Sequence, residues 1–306
     1  MALNKSMIKG ILPALTTPID GKGNVDRAAT KAQVEHVLAG GAAGLIPIGG
    51  TGEYAALAPS DRIAMVEATV EAAKGRVPVI AGVLSPGFRE SLSAAKDYLK
   101  AGASGVMLIA PYYVTPTQEG IRDYFKAYVD ALGQPVMLYE IPYRTGIALK
   151  AETIAGMADD GTIVGMKSSN PDMAQFTRVL ALCGDRISVT SGEEPLFPTA
   201  VAMGAVGGVL ATAVLFPRIW VEIFNLAKSG NLKGALAKHK ALAPFLAAVF
   251  SECNPGPLKA AQAMVGTPVG PVLLPLKAPS SEVMKRLEAT IGALKAYEDS
   301  LARNAA

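Results

Sequence analysis

The sequence predicts an α/β protein, a (β/α)8 TIM barrel with a C-terminal helical extension, and three observations carry that expectation. Short runs rich in Val, Ile, Leu and Ala recur along the chain, each followed by a Gly, Pro or Thr turn and a longer amphipathic stretch. The runs are apolar throughout rather than alternating, as are strands of a parallel sheet covered by helices on both faces. Eight of them occur, which is the number that closes this barrel.

The strand candidates are 11–16, 44–48, 78–83, 105–110, 135–139, 163–167, 187–191 and 206–211. Between them lie helical patterns. Ile63, Val66 and Val70 share one helical face in a segment opened by Pro59 and closed by Gly75, residues suited to a helix start and stop. From 217 to about 300 the pattern reads as helix only, ending with Val283, Leu287, Ile291 and Leu294 at helical spacing after Ser280 and Ser281. The expected organisation is a barrel core over 1–216, with 217–306 forming the last barrel helix and a helical extension packed on it as a single unit. An open doubly wound sheet is the structural alternative. It usually carries G-x-G-x-x-G or G-x-x-x-x-G-K-[ST], and neither occurs here.

Composition narrows the function. The 306 residues are 50% hydrophobic and 18% charged, unlike a disordered chain, and 29 basic against 26 acidic residues give only +3, unlike a nucleic-acid binder. Pro195 to Pro217 carries no charge over a length that could span a bilayer, but Gly204, Gly207 and Gly208 divide it into a short helix and a buried strand. The polar start MALNKSMIKG has no apolar leader region, and the only cysteines are Cys183 and Cys253. A reduced, cytoplasmic protein is expected, with both thiols as buried small hydrophobes. His36 and His239 stand alone, without the spacing of a metal site, so no metal is expected.

In a barrel of this kind the chemistry sits where strands end and loops begin. Lys167 ends the apolar run IVGM, and two-residue alternation puts Ile163, Gly165 and Lys167 on one face. An amine held in an apolar interior loses its proton more readily and can attack a carbonyl to form a Schiff base. An internal salt bridge also explains such a lysine. Tyr139 ends the neighbouring strand and is placed to shuttle protons. Gly49-Gly50-Thr51-Gly52-Glu53 offers backbone N–H groups and a hydroxyl to a small anion, or is simply a tight turn. Arg144 lies in a Pro/Gly-containing loop, where it either pairs with a substrate carboxylate or is merely solvated.

Taken together and in order, GGTGE at 49–53, APYY at 110–113, TQEG at 117–120, YEIPYRTG at 139–146, VGMK at 164–167, SGEE at 191–194 and the late NPGPLK at 254–259 resemble one family. It is the dihydrodipicolinate synthase and N-acetylneuraminate lyase family of Schiff-base aldolases and lyases. The resemblance implies a lyase needing no cofactor, working on small molecules, and assembled as a homotetramer of two tight dimers. Lys167 then matches the lysine that condenses with pyruvate or another 2-oxo acid, and Tyr139 the proton donor and acceptor. Tyr113 matches a tyrosine that completes a proton relay in the neighbouring subunit's site. Gly50 and Thr51 fall in the turn that grips the pyruvate carboxylate, and Val209 matches an aliphatic position whose backbone contacts pyruvate.

Arg144 in P-x-R-T-G favours the dihydrodipicolinate synthase branch, where it binds the carboxylate of aspartate semialdehyde. Gly50 stands where that branch has a relay threonine, and Glu140 where asparagine is frequent, next to the expected second-substrate pocket. An aldolase or dehydratase of 2-oxo-3-deoxy sugar acids, or N-acetylneuraminate lyase-like cleavage, is the alternative. A non-catalytic barrel that binds a 2-oxo acid is the reading of another class. Of the residues that form a lysine feedback site in some synthases only Glu90 matches, with Pro59, Arg62 and Pro86 at the other positions, so little inhibition by L-lysine is expected.

Overall fold

The computed structural model describes residues 2–305; Met1 and Ala306, the outer limits of the expected two-part division, lie outside the described residues. Seven parallel strands form one curled sheet: β1 (Gly10–Pro13), β2 (Ile80–Val83), β3 (Gly105–Ile109), β4 (Val136–Glu140), β5 (Ile163–Ser168), β6 (Ser188–Ser191) and β7 (Gly207–Leu210). Their order is β1-β7-β6-β5-β4-β3-β2.

The eighth position is filled by 44–48, which the sequence marks as a strand but which forms only isolated bridges, Ala14 to Ile46 and Leu45 to Val79. Proline explains the shortfall. Pro47 and Pro78 lack an N–H, so the segment cannot make a full ladder on either side. It nonetheless closes the sheet, because Leu15 and Ile80 donate to the carbonyls of Ile46 and Leu45 at 3.0 and 2.9 Å, and Gly82 donates to Pro47 at 3.0 Å.

The first part of the chain also contributes the helices α1 (Arg27–Ala39), α2 (Pro59–Ala73), α3 (Phe88–Lys100), α4 (Gln118–Leu132), α5 (Pro142–Thr145), α6 (Ala151–Asp159), α7 (Met173–Cys183) and α8 (Phe197–Ala202). Their starts follow local chemistry. Asp26, Thr117 and Asp172 cap α1, α4 and α7 by accepting backbone N–H groups, and Pro59 opens α2. The closing turn of α2 goes left-handed at Lys74 (φ 51°) as well as at Gly75 (φ 70°), one residue earlier than the glycine alone marks.

Two apolar layers result. The outer one lies between sheet and helices and includes Val136, Leu138 and Met166; the inner one fills the barrel with Leu12, Ile46, Ile80, Met107, Met137, Tyr139 and Val209. At the bottom, Leu3 and Ile8 from the N-terminal segment join the inner layer. Gly165 makes room there, since a Cβ on it would stand 2.6 Å from Ile8 Cδ1.

After β7 come α9 (Pro217–Lys228), α10 (Leu232–Val249), α11 (Gly256–Met264) and α12 (Ser281–Ala305). Helices α9, α10 and α12 pack on one another, and buried Glu298 of α12 accepts the N–H groups of Arg218 and Ile219 at the start of α9, at 2.9 and 3.0 Å. The extension is not helical throughout. Residues 265–280 form no regular element, because Pro268, Pro271, Pro275 and Pro279 interrupt any helix there. No helix among the described residues is long and apolar enough to cross a membrane.

Candidate active site

Lys167 and Tyr139 occupy paired positions on β5 and β4, both facing inward near the carboxyl ends of their strands. The Lys167 Nζ lies 4.5 Å from the centre of the Tyr139 ring, and the two residues are 8% and 6% exposed. Among the described residues, Lys167 forms no ion pair with a carboxylate. The internal salt bridge that would make it a structural lysine is therefore missing.

Gly192 explains how the lysine is held. A Cβ on it would sit 2.6 Å from Lys167 Cε, 2.9 Å from Cγ and 2.2 Å from Ser169 Oγ, so only glycine lets the loop after β6 lie flat on the lysine stem. The next two residues, Glu193 and Glu194, are close enough for the lysine charge to act on them, although burial dominates and raises both carboxyls. Glu194 is pushed up to about 7. It accepts the Thr212 N–H and hydroxyl, each at 2.8 Å, while Trp220 donates to the same hydroxyl and His239 bonds the Glu194 carbonyl. That network ties the loop to the segment after β7 and to α9 and α10. Half-buried Glu193 accepts from the Tyr143 hydroxyl at 3.2 Å. The sequence marks neither glutamate individually; the SGEE motif around them is the available signal.

The GGTGE turn leaves the closing segment at the same end of the barrel. Thr51 is 6% exposed and its hydroxyl accepts from Asn254 Nδ2 at 2.9 Å. Glu53, at φ 59°, is buried with Lys259, whose Nζ lies 2.6 Å from Glu53 Oε1; the directed hydrogen bond of that ammonium goes to the Pro271 carbonyl at 2.8 Å. Glu53 also accepts the Leu273 N–H at 2.6 Å. The NPGPLK motif thus clamps the turn at two points. Gly50 is exposed, with open space where a side chain would stand.

Arg144, in α5, is exposed and forms no ion pair among the described residues. Tyr113 is 97% exposed at φ 75°, so within one chain it reaches none of the other site residues. Val209 shares the inner cluster with Tyr139.

One expectation needs correction. Cys253 is exposed, because it lies in the turn between α10 and α11, whereas Cys183 is buried as expected. Glu140 does not face the barrel interior where Tyr139 points. Strand alternation turns it to the helix side, where it is fully buried, accepts from Asn170 Nδ2 at 3.2 Å and leaves Oε2 without a hydrogen-bond partner among the described residues.

Burial pushes the Glu140 carboxyl up to about 7. A carboxyl near 4.5 in the unfolded chain and near 7 when folded holds its proton more tightly in the folded state. Its contribution is therefore fully present below about pH 4.5 and is lost as pH rises toward 7. The Glu140→Gln variant is expected to match the native protein at pH 4 and exceed it at pH 8, by up to about 3 kcal/mol, in denaturant titrations at both pH values.

Known proteins bear on this geometry. The profile of the dihydrodipicolinate synthetase family matches residues 7–294. The chain belongs to that family. Among its curated members, the 4-hydroxy-tetrahydrodipicolinate synthase of Acidiphilium cryptum is 38% identical over 279 residues, covering 91% of this chain and 95% of that protein. A solved dihydrodipicolinate synthase from Thermotoga maritima superposes with a TM-score of 0.90 at 30% identity, covering 94% of this chain and 99% of its own. The family member from Cyanidioschyzon merolae, solved with lysine bound, gives a TM-score of 0.90 at 30% identity and covers 94% and 98%.

Proposed function

We propose that this chain is a lyase that forms a Schiff base between Lys167 and pyruvate and adds the resulting enamine to an anionic aldehyde, as a 4-hydroxy-tetrahydrodipicolinate synthase does with aspartate semialdehyde. The observation that carries the reading is an interior lysine with no carboxylate partner among the described residues, held against Tyr139 at paired strand ends, in a chain of this family.

The Lys167 amine attacks the 2-oxo carbon, the carbonyl oxygen takes a proton to give a carbinolamine, and loss of water leaves the protonated imine. Tyr139 is placed to carry those protons in both directions. The imine cation draws electrons from the adjacent methyl group, which loses a proton to become the enamine. The enamine carbon bonds to the aldehyde carbon, and the aldehyde oxygen takes up a proton. Hydrolysis, or attack by an amino group of the product, then frees Lys167.

Thr51 and the neighbouring backbone N–H groups suit the pyruvate carboxylate, and Arg144 suits the carboxylate of the aldehyde. Val209 suits a backbone contact to pyruvate. Tyr113, fully outside its own site, fits a relay contributed to a neighbouring copy, which supports the homotetramer of two tight dimers. Residues 217–306 are read as one structural unit with the barrel, because Asn254 and Lys259 fasten the turn at 49–53. The open space at Gly50 favours a second reading, cleavage or dehydration of a bulkier 2-oxo-3-deoxy sugar acid. Product analysis decides between them: pyruvate with aspartate semialdehyde yields the cyclic condensation product under the first reading, and only the sugar acid is turned over under the second.

Feedback by L-lysine is not expected. Arg62 stacks 3.9 Å from the centre of the Tyr54 ring, donates to the Tyr54 carbonyl at 3.0 Å and places Nη1 3.7 Å from Glu90. The carboxylate that would meet a lysine ammonium already has a cation beside it. Steady-state rates with millimolar L-lysine are expected to match those without it; strong inhibition contradicts this.

A further inference from the structure

A threonine hydroxyl has one proton to donate and two lone pairs that accept. Every other buried threonine among the described residues places that proton on an acceptor inside the protein: Thr17 on the Gly52 carbonyl at 2.7 Å, Thr190 on the Met166 carbonyl at 2.7 Å and Thr212 on Glu194 at 2.8 Å, for example. Thr51 is the exception. Its hydroxyl accepts from Asn254 Nδ2, and its proton has no protein acceptor among the described residues. The donor comes from 203 positions away in sequence, on a segment held in place by the buried Lys259–Glu53 pair.

We propose that Asn254 is a positioning residue for the 2-oxo acid site: by donating to Thr51 Oγ1 it occupies a lone pair and leaves the Thr51 proton directed at an incoming carboxylate oxygen. The assignment rests on the reading that the 49–53 turn receives the substrate carboxylate. It makes the C-terminal extension a participant in substrate binding although none of its side chains need touch the substrate. The other amide atom, Asn254 Oδ1, is buried without a partner among the described residues, so the donor orientation toward Thr51 is the one side-chain hydrogen bond it makes among them. The nearby charged groups, Glu53 and Lys259, neutralise each other.

The test is steady-state kinetics with pyruvate varied. In Asn254→Asp the side chain has the same shape but accepts rather than donates, so it captures the Thr51 proton and adds a negative charge. KM for pyruvate is expected to rise about tenfold or more, with kcat at saturation within about threefold of native. Asn254→Ala should raise KM several-fold, and Asn254→Ser, which keeps a donor, should restore most of the loss. In a Thr51→Val background, Asn254→Ala should add little, because the hydroxyl it orients is gone. An unchanged KM in Asn254→Asp, a fall in kcat matching the rise in KM, or full additivity with Thr51→Val overturns the assignment. Should Asn254→Asp fail to fold, the Ala, Ser and Thr51→Val comparisons decide alone. Failure of the underlying reading looks different: the native enzyme then shows no borohydride-trapped pyruvate adduct at all.

Discussion

Replacing Lys167 with alanine is expected to lower kcat by roughly four orders of magnitude or more while leaving the thermal midpoint within a few degrees of native. Under the proposed function the Lys167 amine is the group that bonds to the 2-oxo carbon, so its loss removes the covalent step. Stability should change little, because Lys167 forms no ion pair among the described residues; what is lost is the stem packed under Gly192 and the contact with the Tyr139 ring. Activity assays and melting curves on the same preparation check both halves. A variant that keeps a tenth of native activity contradicts the assignment of Lys167. If the chain were a non-catalytic 2-oxo-acid binder, there would be no turnover to lose and pyruvate affinity would fall only modestly.

The largest expected effect on stability lies elsewhere. Lys259 and Glu53 side chains are 3% and 0% exposed. Burial depresses the Lys259 ammonium, and the Glu53 carboxylate opposes that shift. Removing one member of such a pair strands the other charge in the interior, so Lys259→Met is expected to cost about 3–5 kcal/mol, a fall in melting temperature on the order of 10 °C. The double variant Glu53→Gln/Lys259→Met leaves no stranded charge and should recover part of that loss. Equal losses in single and double variants would mean that packing of the 265–280 segment, rather than the pair, is what the mutation disturbs. Because the same pair holds the turn that carries Thr51, the single variant should also raise KM for pyruvate.

Much of the barrel is legible in sequence because a parallel sheet covered on both faces writes itself as unbroken apolar runs. The reading weakens where proline removes an N–H. The run at 44–48 looks like any other strand by composition, yet Pro47 and Pro78 reduce it to bridges. The prolines of 265–280 likewise break what periodicity alone extends as helix.

Within the site, Lys167 is legible because a charge at the end of an apolar strand is conspicuous, and alternation gives its direction. Alternation also assigns Glu140 to the opposite face from Tyr139, a step that family position alone does not supply. The Asn254 and Lys259 contacts are invisible to local reading, since each joins residues about two hundred positions apart. The same holds for the Glu194 network, which draws Thr212, Trp220 and His239 from three elements. Exposure of Cys253 and Tyr113 depends on turns whose course only the folded chain shows.

The most direct measurement of the central claim is mass spectrometry of the intact protein after sodium borohydride reduction in the presence of pyruvate, followed by peptide mapping. The expected result is one reduced pyruvyl adduct per chain, located on Lys167 and absent from Lys167→Ala. A folded protein that yields no adduct, or one that carries it on another lysine, contradicts the Schiff-base assignment.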